Sequence, residues 1–351
     1  MPINPKKYMN DGAITQKVET VHYVPVEKKV YNILVGNFFG SVDDLGKLQE
    51  PVIADSVVFS GVKTIQAFES GNPYGSAGRK LAVRGVVFPD LNLISGDISA
   101  MFYANPYIES MSFQELTSLG GTVSSLCEDC PKLASVNFNK LVEIIGVAGY
   151  MFQNDTLLTS ISFPELVTIT GVCSNMFKGS GITTVSMPKL KTIDRERACQ
   201  YMFQNCGCTS IEFPELEEIR GKYACGSMFY NNDLTSISFP KLKKVWAYVM
   251  HYICGLNSNL VSVNLSALET IAGVGAFQYA FYNCTSLREL SFNSLKSVDG
   301  NTSFQYMLNG CSDVVVHFPS NLESVMGEWS DVLNGFGGTN TTVLFDLPAT
   351  E

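Results

Sequence analysis

The sequence predicts an α/β solenoid of stacked rungs, with a parallel β-sheet along one side and short helical turns and loops opposite. Three observations predict it. The string SISFPEL (residues 160–166) returns as SISFPKL (236–242), with weaker copies SMSFQEL, SVNFNKL, TVSMPKL, SIEFPEL, SVNLSAL and ELSFNSL. Anchored on their aromatic or large apolar residue, the copies fall at Phe88, Phe113, Phe138, Phe163, Met187, Phe213, Phe239, Leu265, Phe292 and Phe318. Successive spacings are 25, 25, 25, 24, 26, 26, 26, 27 and 26, a period that marks a repeat architecture. Finally, 46% of the 351 residues are hydrophobic and only 16% charged, which supplies a core and opposes disorder.

Taken in order, residues 1–50 do not share the period. KVETVHYVPV alternates in part and reads as a strand, while Pro2, Pro5 and Pro25 oppose a long helix. VYNILVGNFF is apolar enough to need cover. Two readings stand for this segment: an N-terminal cap, or an arm that docks to another chain. The repeat block is assigned to residues 51–351. Phe59 is followed by Val62 and Ile65 at the offsets that Leu166 and Ile169 hold after Phe163, and Val343 and Phe345 repeat the last part of a strand. About 12 rungs result, the outermost two serving as caps.

Each element of a rung has a physical reason. In LLTSISFPELVTITG (157–171), Ile161 and Phe163 lie two apart and share one face of a short strand, leaving Ser160 and Ser162 on the other. Leu166 and Ile169, three apart, return to the core. Gly171 suits a turn with positive φ, and glycine recurs there as Gly96, Gly121, Gly146, Gly221, Gly273, Gly300 and Gly327. Met202 and Phe203 then read as one helical turn closing the core, a reading supported by Phe277 and Phe281 four apart. About five apolar side chains per rung, at roughly 1.5–3 kcal/mol each, are hidden only when rungs stack.

The strand pattern L-x-x-I-x-F, with a turn asparagine upstream and a second apolar pair downstream, resembles a leucine-rich repeat of the BspA-like, or treponemal, class. NCTSLRELSFNSLKSVDG (283–300) and NDTLLTSISFPELVTITG (154–171) carry the resemblance, which spans about residues 52–347. It implies a right-handed, curved leucine-rich-repeat solenoid with the parallel sheet on its concave face. It further implies binding and adhesion at bacterial surfaces rather than catalysis. Repeats here are longer than the family's usual unit, and the N-terminus has no hydrophobic export segment.

The period turns positions into columns. Eight residues before each anchor stand Asn105, Cys130, Asp155, Gly179, Asn205, Asn231, Asn257, Cys284 and Gly310, read as a structural ladder bonding the turn backbone. On the predicted concave face lie small hydroxyl and amide groups, and the candidate binding residues are Ser160, Ser162, Ser186, Ser210, Glu212, Ser236, Ser238, Ser262 and Asn264. No aromatic residue lies in these columns, which weakens a sugar-binding reading of this face. Charge alternates in two further columns: Lys140, Glu165, Lys189, Glu215, Lys241, and Lys191, Glu217, Lys243, Glu269, Lys296. A slip by one rung would set like charges against each other, so the pattern defends the register.

Composition excludes several function classes. A net charge of −9 opposes general nucleic-acid binding, and no apolar run reaches the roughly 18 residues of a membrane span. Cys127 and Cys130 are spaced C-x-x-C, and Cys206 and Cys208 C-x-C, but the pairs lie about three rungs, or roughly 14 Å, apart and cannot share one ion. No metal or cofactor is expected. The sequence has no phosphate-binding loop, dinucleotide fingerprint, nucleophile elbow or zinc-protease motif, and its three histidines are His22, His251 and His317. The reading is a non-catalytic binding or adhesion module for a protein or surface partner. The alternative is a structural or receptor-binding component of a bacteriophage particle, self-assembling or anchored through residues 1–50; an enzyme ranks third. Without an export segment, the expected place is the cytoplasm or a virion, with the cell surface reached only by a non-classical route.

Overall fold

The computed structural model describes residues 18–23, 52–59, 63–65 and 81–350. The chain divides into two compact units. One runs to Pro164 and includes Gly179–Gly181; the other holds Glu165–Lys178 and everything from Ile182 onward. Each unit is a parallel β-solenoid whose rungs have three sides: a first sheet carrying the anchor residues, a second sheet, and a face of turns.

In the first unit the first sheet runs Val18–Tyr23, Val52–Phe59, Leu81–Phe88, Ser110–Phe113, Ser135–Asn137, all parallel. The first of these strands falls within KVETVHYVPV and pairs Tyr23 with Phe59. The remainder of residues 1–50, and Val62, lie outside the described residues. In the second unit Ser210–Glu212, Ser236–Ser238 and Ser262–Asn264 form one parallel group, and Glu289–Ser291, Val315–Pro319 and Thr342–Leu347 another.

The second sheet arises from the Leu-x-x-Ile return. Its strands are only two or three residues long, such as Glu143–Ile144 in the first unit and Glu218–Arg220, Lys244–Trp246 and Thr270–Ala272 in the second. Each directs one apolar residue inward, so Ile144, Ile219, Val245 and Ile271 are fully buried. With two sheets back to back, apolar residues of both strands fill one interior.

The turn side departs from expectation. Met202 and Phe203 are buried as predicted from their period, but the segment is not helical. Every fourth residue adopts positive φ: Arg197, Tyr201 and Asn205 in one rung, Tyr223, Ser227 and Asn231 in the next. Residues between these points bond back three positions, as Met202 N–H does to Cys199 O at 3.1 Å. Alternate residues instead donate to the following rung, as Phe203 N–H does to Met228 O at 2.9 Å and Asn205 N–H to Tyr230 O at 3.0 Å. The rungs are thus hydrogen-bonded to one another on this side too, and a continuous helix would forfeit those bonds. Described helix is confined to residues 320–337, as short turns such as Glu323–Met326 and Ser330–Leu333.

Aromatic rings stack along the interior in two files. Phe88, Phe113 and Phe138 repeat at 5.4 and 5.2 Å with nearly parallel planes, and Phe213 meets Phe239 at 5.4 Å. On the turn side Phe177, Phe203 and Phe229 repeat at 5.3 and 5.5 Å. These centroid separations exceed the rung spacing of about 4.8 Å, as offset stacking requires. Phe345 stacks on Phe318 at 5.7 Å and closes the end of the file, half-buried.

The recurrent glycines serve two purposes rather than one. Gly221, with φ of +88°, turns the chain as expected. Gly146 does not need positive φ; a β-carbon there would overlap the backbone carbonyl of Gly121 one rung away. Gly327 belongs to the helical C-terminal part and closes a helix with φ of −56°.

Candidate functional site

The candidate residues of the first sheet all lie on its outer face. In the second unit Ser210, Ser236 and Ser262 stand in register, as do Glu212, Ser238 and Asn264. Between them Ile211 and Ile237 point inward and are buried. Asn264 Nδ2 donates to Ser238 Oγ at 3.1 Å, and its Oδ1 accepts the Ser266 N–H at 3.1 Å, so this amide is already oriented. Ser186 is exposed at the end of the strand Thr184–Ser186, beside Ser210–Glu212. Ser160 and Ser162 belong to the first unit, exposed on either side of buried Ile161 and beside the strand Ser135–Asn137. The result in each unit is a row of polar side chains, most of them short, on a hydrogen-bonded backbone.

At the far end of this face a different set meets. Ser291 is in register with His317, and His317 Nδ1 lies 2.8 Å from Asp346 Oδ1. These three residue types are those of a nucleophilic triad, a placement that sequence spacing did not disclose. No hydrogen bond joins Ser291 to the imidazole among the described residues, and Asp346 is half-exposed on the last strand. A triad requires the serine within about 3.2 Å of the base and a preorganised anion hole, so His317 and Asp346 are read as a hydrogen-bonded pair at the sheet edge.

The ladder before the anchors resolves into two neighbouring columns. Asn105, Asp155 and Asn257 are buried, as are Cys130 and Cys284. In four rungs the loop to the anchor is one residue shorter, so the buried position is Ser180, Cys206, Asn232 and Cys311, with Cys206 only partly covered. Gly179, Asn205, Asn231 and Gly310 instead occupy the adjacent left-handed column, together with Asp129, Asn154 and Asn283. Glycine, asparagine and aspartate are the residues that adopt this backbone at least cost. The buried side chains reach back to the preceding rung: Asn257 Nδ2 donates to Phe229 O at 2.8 Å, Asn232 Nδ2 to Phe203 O at 2.8 Å, and Cys284 Sγ to Cys254 O at 3.1 Å. Asp155 accepts the Cys130 N–H through Oδ1 at 2.7 Å, while its buried Oδ2 has no partner. Burial, reinforced by neighbouring Cys130, pushes the Asp155 carboxyl up to about 9, so it carries a proton at neutral pH and matches the neutral asparagines.

The cysteines serve the same interior. Burial pushes Cys173 and Cys225 up to about 12, which makes them inert as nucleophiles. Cys127 and Cys130 thiols lie 2.7 Å apart, and Cys130 Sγ also donates to Phe102 O at 3.1 Å. Among the described residues no group of three or more ligating side chains converges.

A second surface appears where sequence reading placed nothing. Tyrosines occupy left-handed positions on the turn side: Tyr201, Tyr223, Tyr248, Tyr252, Tyr279 and Tyr306 in the second unit. Tyr252 and Tyr279 stack at 4.6 Å with an interplanar angle of 1°, and Tyr279 and Tyr306 at 5.1 Å. His251 sits edge-on to Tyr252 at 4.7 Å, its imidazole held below its ordinary value by burial. At the corner between turn side and second sheet, Arg220, Gly221, Lys222, Trp246, Ala247, Tyr248 and Ala272 line an open cleft of about 590 Å³. The signal in the sequence was the recurrence of tyrosine at Tyr201, Tyr252, Tyr279 and Tyr306, a column that holds Ala100, Ser125, Asn175 and Ser227 in other rungs.

A family model described as the BspA type leucine rich repeat region, with six copies, matches residues 97–198 and 196–328. The chain belongs to the BspA-type leucine-rich repeat family. In BspA-type terms the matched block carries the serine face of the second unit, the buried ladder and the tyrosine-bearing turns. Among solved structures, the chain is similar to a leucine rich cell surface protein from Faecalibacterium prausnitzii A2-165, with TM-score 0.37 and 13% identity over 82% of this chain and 87% of that one. It is also similar to a leucine-rich repeat protein from Bacteroides ovatus ATCC 8483, with TM-score 0.29 and 18% identity over 82% and 92% of the respective chains. No curated protein sequence matches. No helix among the described residues is long and apolar enough to cross a membrane.

Proposed function

We propose that this BspA-type chain is a non-catalytic recognition module that docks a protein or surface partner on the serine-lined outer face of its first sheet. The observation that carries the reading is the in-register pair of columns Ser210–Ser236–Ser262 and Glu212–Ser238–Asn264. Short side chains leave the partner close to a rigid backbone, so little side-chain entropy is lost on contact. Hydroxyls and amides both donate and accept, which suits a protein surface. The bacteriophage-particle alternative rests on residues 1–50 as an arm, and no observation favours it over the first reading.

The test is capture of a partner from a cell-surface protein extract by the full chain and by a variant carrying Ser236→Lys and Ser238→Lys. Lysines there block close approach without entering the core. The reading predicts a captured protein that the variant loses while its circular dichroism is unchanged. Equal capture by both chains removes this face from consideration.

A further inference from the structure

The cleft at the exit of the second sheet is built by a step in side-chain size. The third residue of successive strands is Asp194, Arg220, Trp246 and Ala272, with Asp194 facing Arg220 and Trp246 facing Ala272 in register. The drop from tryptophan to alanine opens a hollow beside the indole. Gly221 turns the chain behind it with φ of +88°, and Tyr248, held at φ of +55°, forms another wall. A tyrosine in the left-handed region costs of order 1–3 kcal/mol of backbone strain, where asparagine or glycine would cost far less. Tyr223 and Tyr248 bear that cost in adjacent rungs, as do Tyr201, Tyr252, Tyr279 and Tyr306 elsewhere on the turn side, so the wall formed by Tyr248 follows the turn pattern of the fold.

Charge in the cleft is uneven. Arg220 is spent on Glu218 at 2.8 Å and Asp194 at 3.6 Å, and this guanidinium, with the Trp246 indole N–H, holds the Glu218 carboxyl below the usual carboxylate range. Two cations flank the Trp246 ring: Lys244 Nζ lies 4.3 Å and the Arg220 guanidinium carbon 6.0 Å from its centroid, so a ligand meets the part of the indole that borders the cleft beside Ala272. Lys222 is exposed, with its Nζ 5.1 Å from the Tyr248 centroid and 5.2 Å from that of Tyr223. It has no carboxylate partner among the described residues. Lys244 likewise forms no salt bridge among the described residues, so two ammonium groups stand over ring faces here, Lys244 on Trp246 and Lys222 on Tyr223 and Tyr248.

We propose that this cleft binds an acidic saccharide, with a pyranose ring against Trp246 and Tyr248 and its carboxylate on Lys222. The C–H groups of a pyranose face carry slight positive charge and lie favourably on the negative face of an aromatic ring. The volume suits a small ligand, and the open side lets a chain leave the site. Of the two unpaired ammonium groups, Lys222 lines the cleft and supplies a partner for one carboxylate, whereas the chain's net charge of −9 repels a densely charged polyanion. The site lies on a different side of the rung from the serine face, and the two proposals stand or fall separately.

The experiment titrates the full chain with galacturonate trisaccharide and 3′-sialyllactose, with lactose as the neutral control and a poly-glutamate peptide as the competing class. Binding is read by calorimetry and by tryptophan fluorescence. The proposal predicts binding of at least one acidic sugar and roughly tenfold weaker binding of lactose. Trp246→Ala and Lys222→Gln each weaken the acidic sugar roughly tenfold, Lys222→Arg restores most of it, and Ser236→Lys has no effect. Lys222 is exposed, so its substitution tests the charge even if Trp246→Ala fails to fold. Binding of neither acidic sugar, equal binding of lactose, or binding of the peptide alone overturns the proposal.

Discussion

Asp155 occupies a column in which the other polar residues are neutral, and its own behaviour follows from that company. Its carboxyl is raised from 3.8 to about 9, so across that window the folded chain keeps a proton that the unfolded chain has released. Stability from this group is therefore greatest below about pH 4. It falls as pH rises, by at most about 1.4 kcal/mol per pH unit, and levels off above about pH 9. Asp155→Asn supplies an N–H where Oδ2 has no partner, as Asn257 and Asn232 do in their rungs. The variant is expected to gain about 2 kcal/mol at pH 7 and to lose that part of the pH slope, read by denaturant unfolding between pH 4 and 9. Gly146→Ala is expected to cost about 1–3 kcal/mol in the same assay, because the methyl meets the Gly121 carbonyl. At this scale the sequence pointed to the right columns but not to their partition. Asn231 and Asn232 are adjacent, and only the one-residue change in loop length decides which is buried and which is left-handed.

At the scale of elements, the first sheet was legible because its strands alternate over enough residues to show a period of two. The second was not. Its two- and three-residue strands leave only Leu166 and Ile169, three apart, which reads equally as a return through a loop. The turn segments misled for a related reason. Met202 and Phe203, or Phe277 and Phe281, satisfy helical spacing, while the positive φ at every fourth residue has no strict residue signature beyond tyrosine, asparagine and glycine. The stacked files hold the elements together. Phe203→Ala interrupts contacts to both Phe177 and Phe229 and is expected to cost about 3–5 kcal/mol by denaturant unfolding. The charged columns count for less. Lys140 reaches Glu115 at 2.6 Å, Lys189 reaches Glu165 at 2.7 Å and Lys241 reaches Glu215 at 2.6 Å, each lysine toward the preceding rung. These pairs are about half exposed, so Glu215→Lys is expected to cost under about 1 kcal/mol. Their stronger role is to oppose a slip of one rung, which sets lysine against lysine.

For the whole molecule, the rungs within each unit bond to their neighbours on all three sides. Two sheets alone would leave the turn side free to move. The alternating pattern there, with Tyr201 N–H on Gly226 O at 3.0 Å and Phe203 N–H on Met228 O at 2.9 Å, ties that side to the next rung through the backbone, as the strands are tied. A rigid scaffold is what both proposed surfaces require. The serine face was visible in the sequence because its columns follow the strand period. The cleft at Trp246 was not, because it depends on the succession Arg220, Trp246, Ala272 at one corner, and no motif marks that corner. The most direct test is amide hydrogen exchange, followed by mass spectrometry, comparing turn segments 197–205 and 223–231 with the strands Ser210–Glu212 and Ser236–Ser238. The three-sided solenoid predicts that the turn segments exchange as slowly as those strands, within about tenfold. Exchange of the turns at the rate of open loops, with the strands still protected, contradicts it.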